Sequence, residues 1–84
     1  MATQINRETI LEEKDILKLK DLAEQGDAKA QYDLGYYYNN QPKQEKEAFL
    51  WYLRAAEQGY AEAQYAVGVC YAIGIGVEKD LKSL

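Results

Sequence analysis

The chain has no histidine, one cysteine, one proline and one tryptophan among its 84 residues. Without histidine it lacks the usual general base, the usual imidazole metal ligand and every Ser-His or Cys-His dyad. Catalysis would have to rest on carboxylates, tyrosine or lysine. The single cysteine, Cys70, permits no intramolecular disulfide, which excludes a disulfide-stapled scaffold and fits a reducing compartment. Its neighbours Val69 and Tyr71 suit a small buried hydrophobe better than a reactive thiol, since no basic residue stands beside it to lower its pKa.

Long apolar runs are missing too. No window approaches the ~20 apolar residues of a membrane-spanning helix, and the opening MATQINRETI lacks the apolar core of a signal peptide. The expectation is a soluble, cytoplasmic chain. Basic runs are equally absent: ten Lys and Arg are scattered among fourteen acids, for a formal charge of −4 and a pI near 4.7. Nucleic acid and anionic membrane surfaces are thereby disfavoured as partners, because both need a basic stripe to neutralise phosphate. A hydrophobic fraction of 48% with only six glycines is that of a globular chain. At this length there is room for one small core, shared by all its elements.

What the chain does contain is a repetition. AEQGDAKAQYDLGYYY, residues 23–38, returns 33 residues later as AEQGYAEAQYAVGVCY, residues 56–71, with ten identities in sixteen positions and no gap. From Gln44 to Gln58, Ala48, Trp51, Tyr52, Ala55 and Ala56 recur at i, i+3, i+4, i+7 and i+8, one face of an α-helix. Gly26 and Gly59 stand where a left-handed residue would close such a helix. Asp27 can cap the helix that follows, whereas Tyr60, its counterpart, cannot. The next helices, about Ala28–Asn39 and Ala61–Ile73, align Ala30 with Ala63, Leu34 with Val67 and Tyr38 with Tyr71. Gly35 and Gly68 lie beside that stripe, and glycine inside both helices predicts an approach too close for a Cβ.

Each unit therefore reads as helix, glycine turn, antiparallel helix and connector. The first connector, NNQPK, uses Pro42 as a helix stop; the second, GIGVEKD, is longer and turns on Gly74 and Gly76. Residues 1–10 form an N-terminal segment, 11–43 a first repeat, 44–78 a second, and 79–84 the start of a third. Thr9 and Glu12 have the spacing of a capping box for the leading helix. In that helix Asp15 and Lys18 replace Ala48 and Trp51, the polar outer face of a terminal repeat.

The second copy holds Ala48, Trp51-Tyr52, Ala55-Ala56-Glu57-Gln58-Gly59, Ala61, Ala63-Gln64-Tyr65, Val67-Gly68, Tyr71 and Gly74-Ile75-Gly76-Val77. This combination resembles the Sel1-like repeat family, helical repeats related to the tetratricopeptide repeat, over about residues 12–82. The resemblance implies an all-α, right-handed α-α superhelix, here of about two helix-turn-helix repeats plus the start of a third. It also implies a non-enzymatic scaffold or adaptor for protein–protein contacts, of a kind frequent in bacterial signalling and quality-control assemblies. The first copy lacks the Trp-Tyr pair and the G-x-G-V connector.

No cofactor, metal or catalytic group is expected. The acids Glu45 and Glu47 suit a solvated first turn, and Gly74-Ile75-Gly76 lacks the strand and the Gly-Lys-Ser/Thr of a phosphate loop. Two surfaces remain as candidates. Phe49, Leu50 and Leu53 exceed what the internal stripe of their helix requires. With Leu17, Lys20 and Arg54 they would form an apolar strip on the inner face of the solenoid, able to hold a partner helix or peptide; burial against the leading helix is the competing reading. At the other end, Val67, Cys70 and Tyr71 have no following repeat to stack upon, and a homodimer through that uncapped end is the alternative. The paired tyrosines Tyr32/Tyr65 and Tyr38/Tyr71 are expected to pack between units, and one of Tyr36 and Tyr37 to be exposed.

Overall fold

The structure, a computed structural model, describes residues 15–78. They form four helices: α1 (Ile16–Glu24), α2 (Ala28–Asn39), α3 (Glu45–Glu57) and α4 (Ala61–Ile73). Each packs on its neighbour in the chain, and α2 against α3 is the most extensive interface. The expected capping box at Thr9 and Glu12 lies outside the described residues.

The two glycine turns are built alike. The amide of Gly26 donates to Ala23 O and that of Asp27 to Leu22 O, at 3.1 and 3.2 Å; Gly59 and Tyr60 repeat the pair onto Ala56 O and Ala55 O, at 2.9 and 3.2 Å. This double closure needs a left-handed residue between the helices, and Gly26 and Gly59 have φ of 105° and 89°. Asp27 then caps α2, its Oδ1 accepting from the Ala30 amide at 2.9 Å. Tyr60 starts α4 from an extended backbone with no side-chain cap, as its chemistry dictates.

The two connectors differ in kind. After α2 the chain turns through Pro42 and reaches Lys43 at φ 63°, a left-handed position held by a β-carbon-bearing residue. After α4, Gly74 takes that conformation, and a Cβ at Gly76 would land on the Glu45 carbonyl and 2.9 Å from Phe49 Cβ. The second connector thus lies against the start of α3, where Ile75 and Val77 are partly buried.

One core runs through all four helices. Ala23, Ala30, Leu34 and Trp51 form its first part, with Leu19, Tyr37 and Tyr38 packed on them. Ala48, Phe49, Tyr52 and Cys70 form the second. Helix α3 contributes to both, Trp51 to one and Phe49 and Tyr52 to the other, while Tyr38 borders both. The first cluster is shared between the repeats through Trp51, whereas the buried residues of the second all come from residues 44–78, with Tyr32 and Tyr38 packed on them. Truncating Leu34, fully buried where α1, α2 and α3 meet, would cost about 2–5 kcal/mol.

Candidate interaction surfaces

The repeated glycines have different surroundings. A Cβ on Gly35 would lie 2.7 Å from Tyr52 Cδ1 and 3.1 Å from the Ala48 carbonyl, so α3 closes directly onto the α2 backbone. At Gly68 no atom of the described residues stands within 4 Å of that position. The expected close approach is therefore made in the first copy, and in the second the described residues leave its place open. The tyrosines follow the same rule. Tyr32 sits between Tyr52 and Tyr60, with ring centroids 5.6 and 5.5 Å away. Tyr65, its counterpart, is 77% exposed, contrary to the packing role expected of it. The repeat places the residue, but only a following helix can bury it.

Glutamines fasten helix to helix, within a unit and between units. Gln31, buried, donates from Nε2 to Ala23 O at 3.0 Å, tying α2 to the end of α1. Gln58 of the second unit donates to Gly26 O and to Gln31 Oε1, both at 2.9 Å. Gln64 repeats the first bond, Nε2 to Ala56 O at 3.2 Å. Gln25, the counterpart of Gln58 with no described unit before it, bonds to Asp21 four residues back on its own helix. The pairs Gln25/Gln58 and Gln31/Gln64 were visible as identities, but their role was missed: an inter-helix bond has no periodicity signature.

On the first-helix face, Leu17 and Leu50 occupy the same register in successive repeats and are 71% and 50% exposed. Lys20 is half-buried and Arg54 exposed. The Arg54 guanidinium lies 4.6 Å from the centre of the Trp51 ring, covering it by a cation–π contact. Phe49 and Leu53 are placed otherwise. Phe49 is buried, edge-on to Tyr71 at 5.5 Å, and Leu53 packs on the same cluster. A direct contact from Phe49 to a partner, expected from sequence, gives way to burial, because α4 and the second connector come to rest on it.

The C-terminal trio is corrected in the same way. Cys70 is buried against α3, while Val67 and Tyr71 are half-buried on the same cluster. Burial pushes the Cys70 thiol above its ordinary pKa, as suits a packing residue. The large apolar side chains that α4 exposes are Tyr65 and Ile73 instead. Tyr36 is the exposed member of its pair, and Tyr37 stacks edge-on against Tyr38.

The pattern of the Sel1 repeat family matches residues 28–60 and 61–83. The chain belongs to the Sel1 repeat family. Sel1 repeats are helical solenoid units and serve in general as protein–protein interaction modules. The matched Sel1 units begin at α2 and at α4, so one unit holds α2 and α3, the pair joined at Gly35 and Tyr52. No curated protein and no solved structure matched the chain.

Other chemistry is sparse among the described residues. No group of three or more His, Cys, Asp or Glu side chains is placed to hold a metal, and no helix is long and apolar enough to cross a membrane. A shallow hollow between the start of α3 and the second connector is lined by Lys43, Lys46, Glu45 and Glu78, whose charges cancel. Tyr52 is the most perturbed acid: burial, and then the nearby Tyr32, Cys70 and Tyr36, push its hydroxyl up to about 12. This keeps it neutral and suits it to packing.

Proposed function

We propose that this chain is a non-enzymatic interaction scaffold whose first-helix face takes a protein or peptide partner. The observation that carries the reading is the pair Leu17 and Leu50, exposed at the same register of α1 and α3. Two large apolar side chains repeated at one position form a ridge that the internal core does not use. Lys20 and Arg54 rim it, and Phe49 and Leu53 support it from below through their packing in the core. The recognition mode is helix- or peptide-in-groove, in which apolar anchors supply affinity and charged rims supply register. The cytoplasm is the proposed place of action, consistent with the single unpaired cysteine.

The test is the double substitution Leu17→Asp plus Leu50→Asp, with partner capture and helicity measured together. Loss of capture at unchanged helicity and melting temperature supports the reading. Unchanged capture would place the partner elsewhere.

A further inference from the structure

Four tyrosines from three elements meet in one row. The Tyr60 ring lies 5.5 Å from that of Tyr32, which lies 5.6 Å from that of Tyr52, and Tyr36, one turn on from Tyr32, stands near the Tyr52 hydroxyl. Tyr52 is buried, Tyr32 and Tyr60 are half-buried and Tyr36 is 58% exposed, so the row reaches the surface. The repeat does not account for it. Where the row has Tyr36 and Tyr60, the other copy of the unit has Val69 and Asp27, and Tyr60 forgoes the side-chain cap that Asp27 gives α2. Nor does the row belong to the Leu17 and Leu50 ridge, since Leu50 and Tyr52, two residues apart, point about 200° apart round α3. At the Tyr60 end stand Asp33, held by Lys29 at 2.9 Å, and Glu62, which has no ion-pair partner among the described residues. That end is net negative.

We propose that this row docks an extended, proline-rich peptide that carries an arginine beside its prolines. An added β-strand would need an open sheet edge, and the described residues form only helices and turns. A docked helix has its carbonyls bonded within itself and offers none to a phenol. A polyproline II segment leaves its carbonyls unpaired and lays proline rings on aromatic faces. Two of its residues advance about 6 Å, close to the 5.5 and 5.6 Å between successive rings. Tyrosine hydroxyls donate to its carbonyls, while the arginine stacks on Tyr60 and pairs with Glu62. This surface is separate from the Leu17 and Leu50 ridge and does not depend on it.

The experiment uses the full 84-residue chain, isotope-labelled, and a capped oligoproline peptide with an arginine at either end as the probe. The expected result is saturable amide shifts at Tyr32, Tyr36, Tyr60 and Glu62. Tyr36→Ala should weaken the peptide by about fivefold or more at unchanged melting temperature. Tyr60→Asp should weaken it comparably in a chain that stays folded, because aspartate restores the cap at α4. Glu62→Gln should weaken this peptide and leave one ending in glutamines unaffected. No saturable shifts up to millimolar peptide would overturn the proposal, as would full affinity in Tyr36→Ala or shifts confined to Leu17 and Leu50. Equal binding of a peptide with glycine in place of proline would reduce the effect to charge attraction and overturn it too. Shifts at Tyr36 and Tyr60 on simple concentration, without peptide, would assign the row to a second copy and overturn it equally.

Discussion

The ring of Tyr52 fills the space that a side chain on Gly35 would need, with Cδ1 2.7 Å from the position of the missing Cβ. Gly35→Ala gains about 0.5–1 kcal/mol of helix propensity but must displace that ring and crowd the Ala48 carbonyl, at about 1–3 kcal/mol. The expected net is a destabilisation of about 1–2 kcal/mol. Gly68→Ala keeps the propensity gain and meets no atom of the described residues, so it should stabilise by about 0.5–1 kcal/mol. Urea unfolding of both variants checks the opposite signs.

The glutamine bonds should be coupled. Gln31→Leu removes one of two hydrogen bonds from each of the Ala23 carbonyl and the Gln58 amide, which keep the Gly26 amide and Gly26 O, and should cost about 1–2 kcal/mol. Gln64→Leu breaks one bond at an exposed position and should cost less than about 1 kcal/mol. A double-mutant cycle over Gln31 and Gln58 should show a coupling above about 0.5 kcal/mol; additivity would mean the two do not act as a unit.

Lys43 holds a left-handed backbone at φ 63° in an exposed turn. Lys43→Gly relieves the steric cost of Cβ there and should stabilise by up to about 1 kcal/mol, although glycine also loosens the unfolded chain. A raised urea midpoint with an unchanged slope is the expected observation.

Alkaline pH should act through Tyr52. Its hydroxyl titrates near 12 in the folded chain, against 10.0 as the ordinary value, so the folded state holds its proton more tightly. That contribution is fully present below about pH 10 and is lost as pH rises toward 12, since ionising the buried phenol opposes folding. The stability difference between the native chain and Tyr52→Phe should shift against the native chain by on the order of 2 kcal/mol across that window. A difference flat with pH would show that Tyr52 ionises without opposing the fold.

The helices, both glycine turns and the Asp27 cap were legible because each is a local rule: apolar period, left-handed glycine, acceptor before the first turn. Burial was legible only where the covering element also lay in the repeat. Phe49 looked surplus to its helix because its cover, Tyr71 and the Gly76 connector, comes from residues whose approach no period announces. Tyr65 looked like a packing residue because it copies Tyr32, which is half-buried between Tyr52 and Tyr60, yet a copied residue inherits its position and not its neighbour. Of the expected strip, Leu17 and Leu50 are exposed, while Phe49 and Leu53 are taken up by the core.

The interaction reading rests on that ridge, and one measurement tests it most directly. A photo-crosslinking amino acid placed at Leu50 and, as a control on another helix, at Glu62 is irradiated in cells of the source organism, and the crosslinked protein is identified. Its binding to purified chain is then measured by calorimetry against Leu17→Asp plus Leu50→Asp. The account expects a discrete adduct from position 50, none from position 62, and a loss of affinity of at least about tenfold in the double variant at unchanged melting temperature. An identified partner that binds the double variant as tightly as the native chain would contradict it.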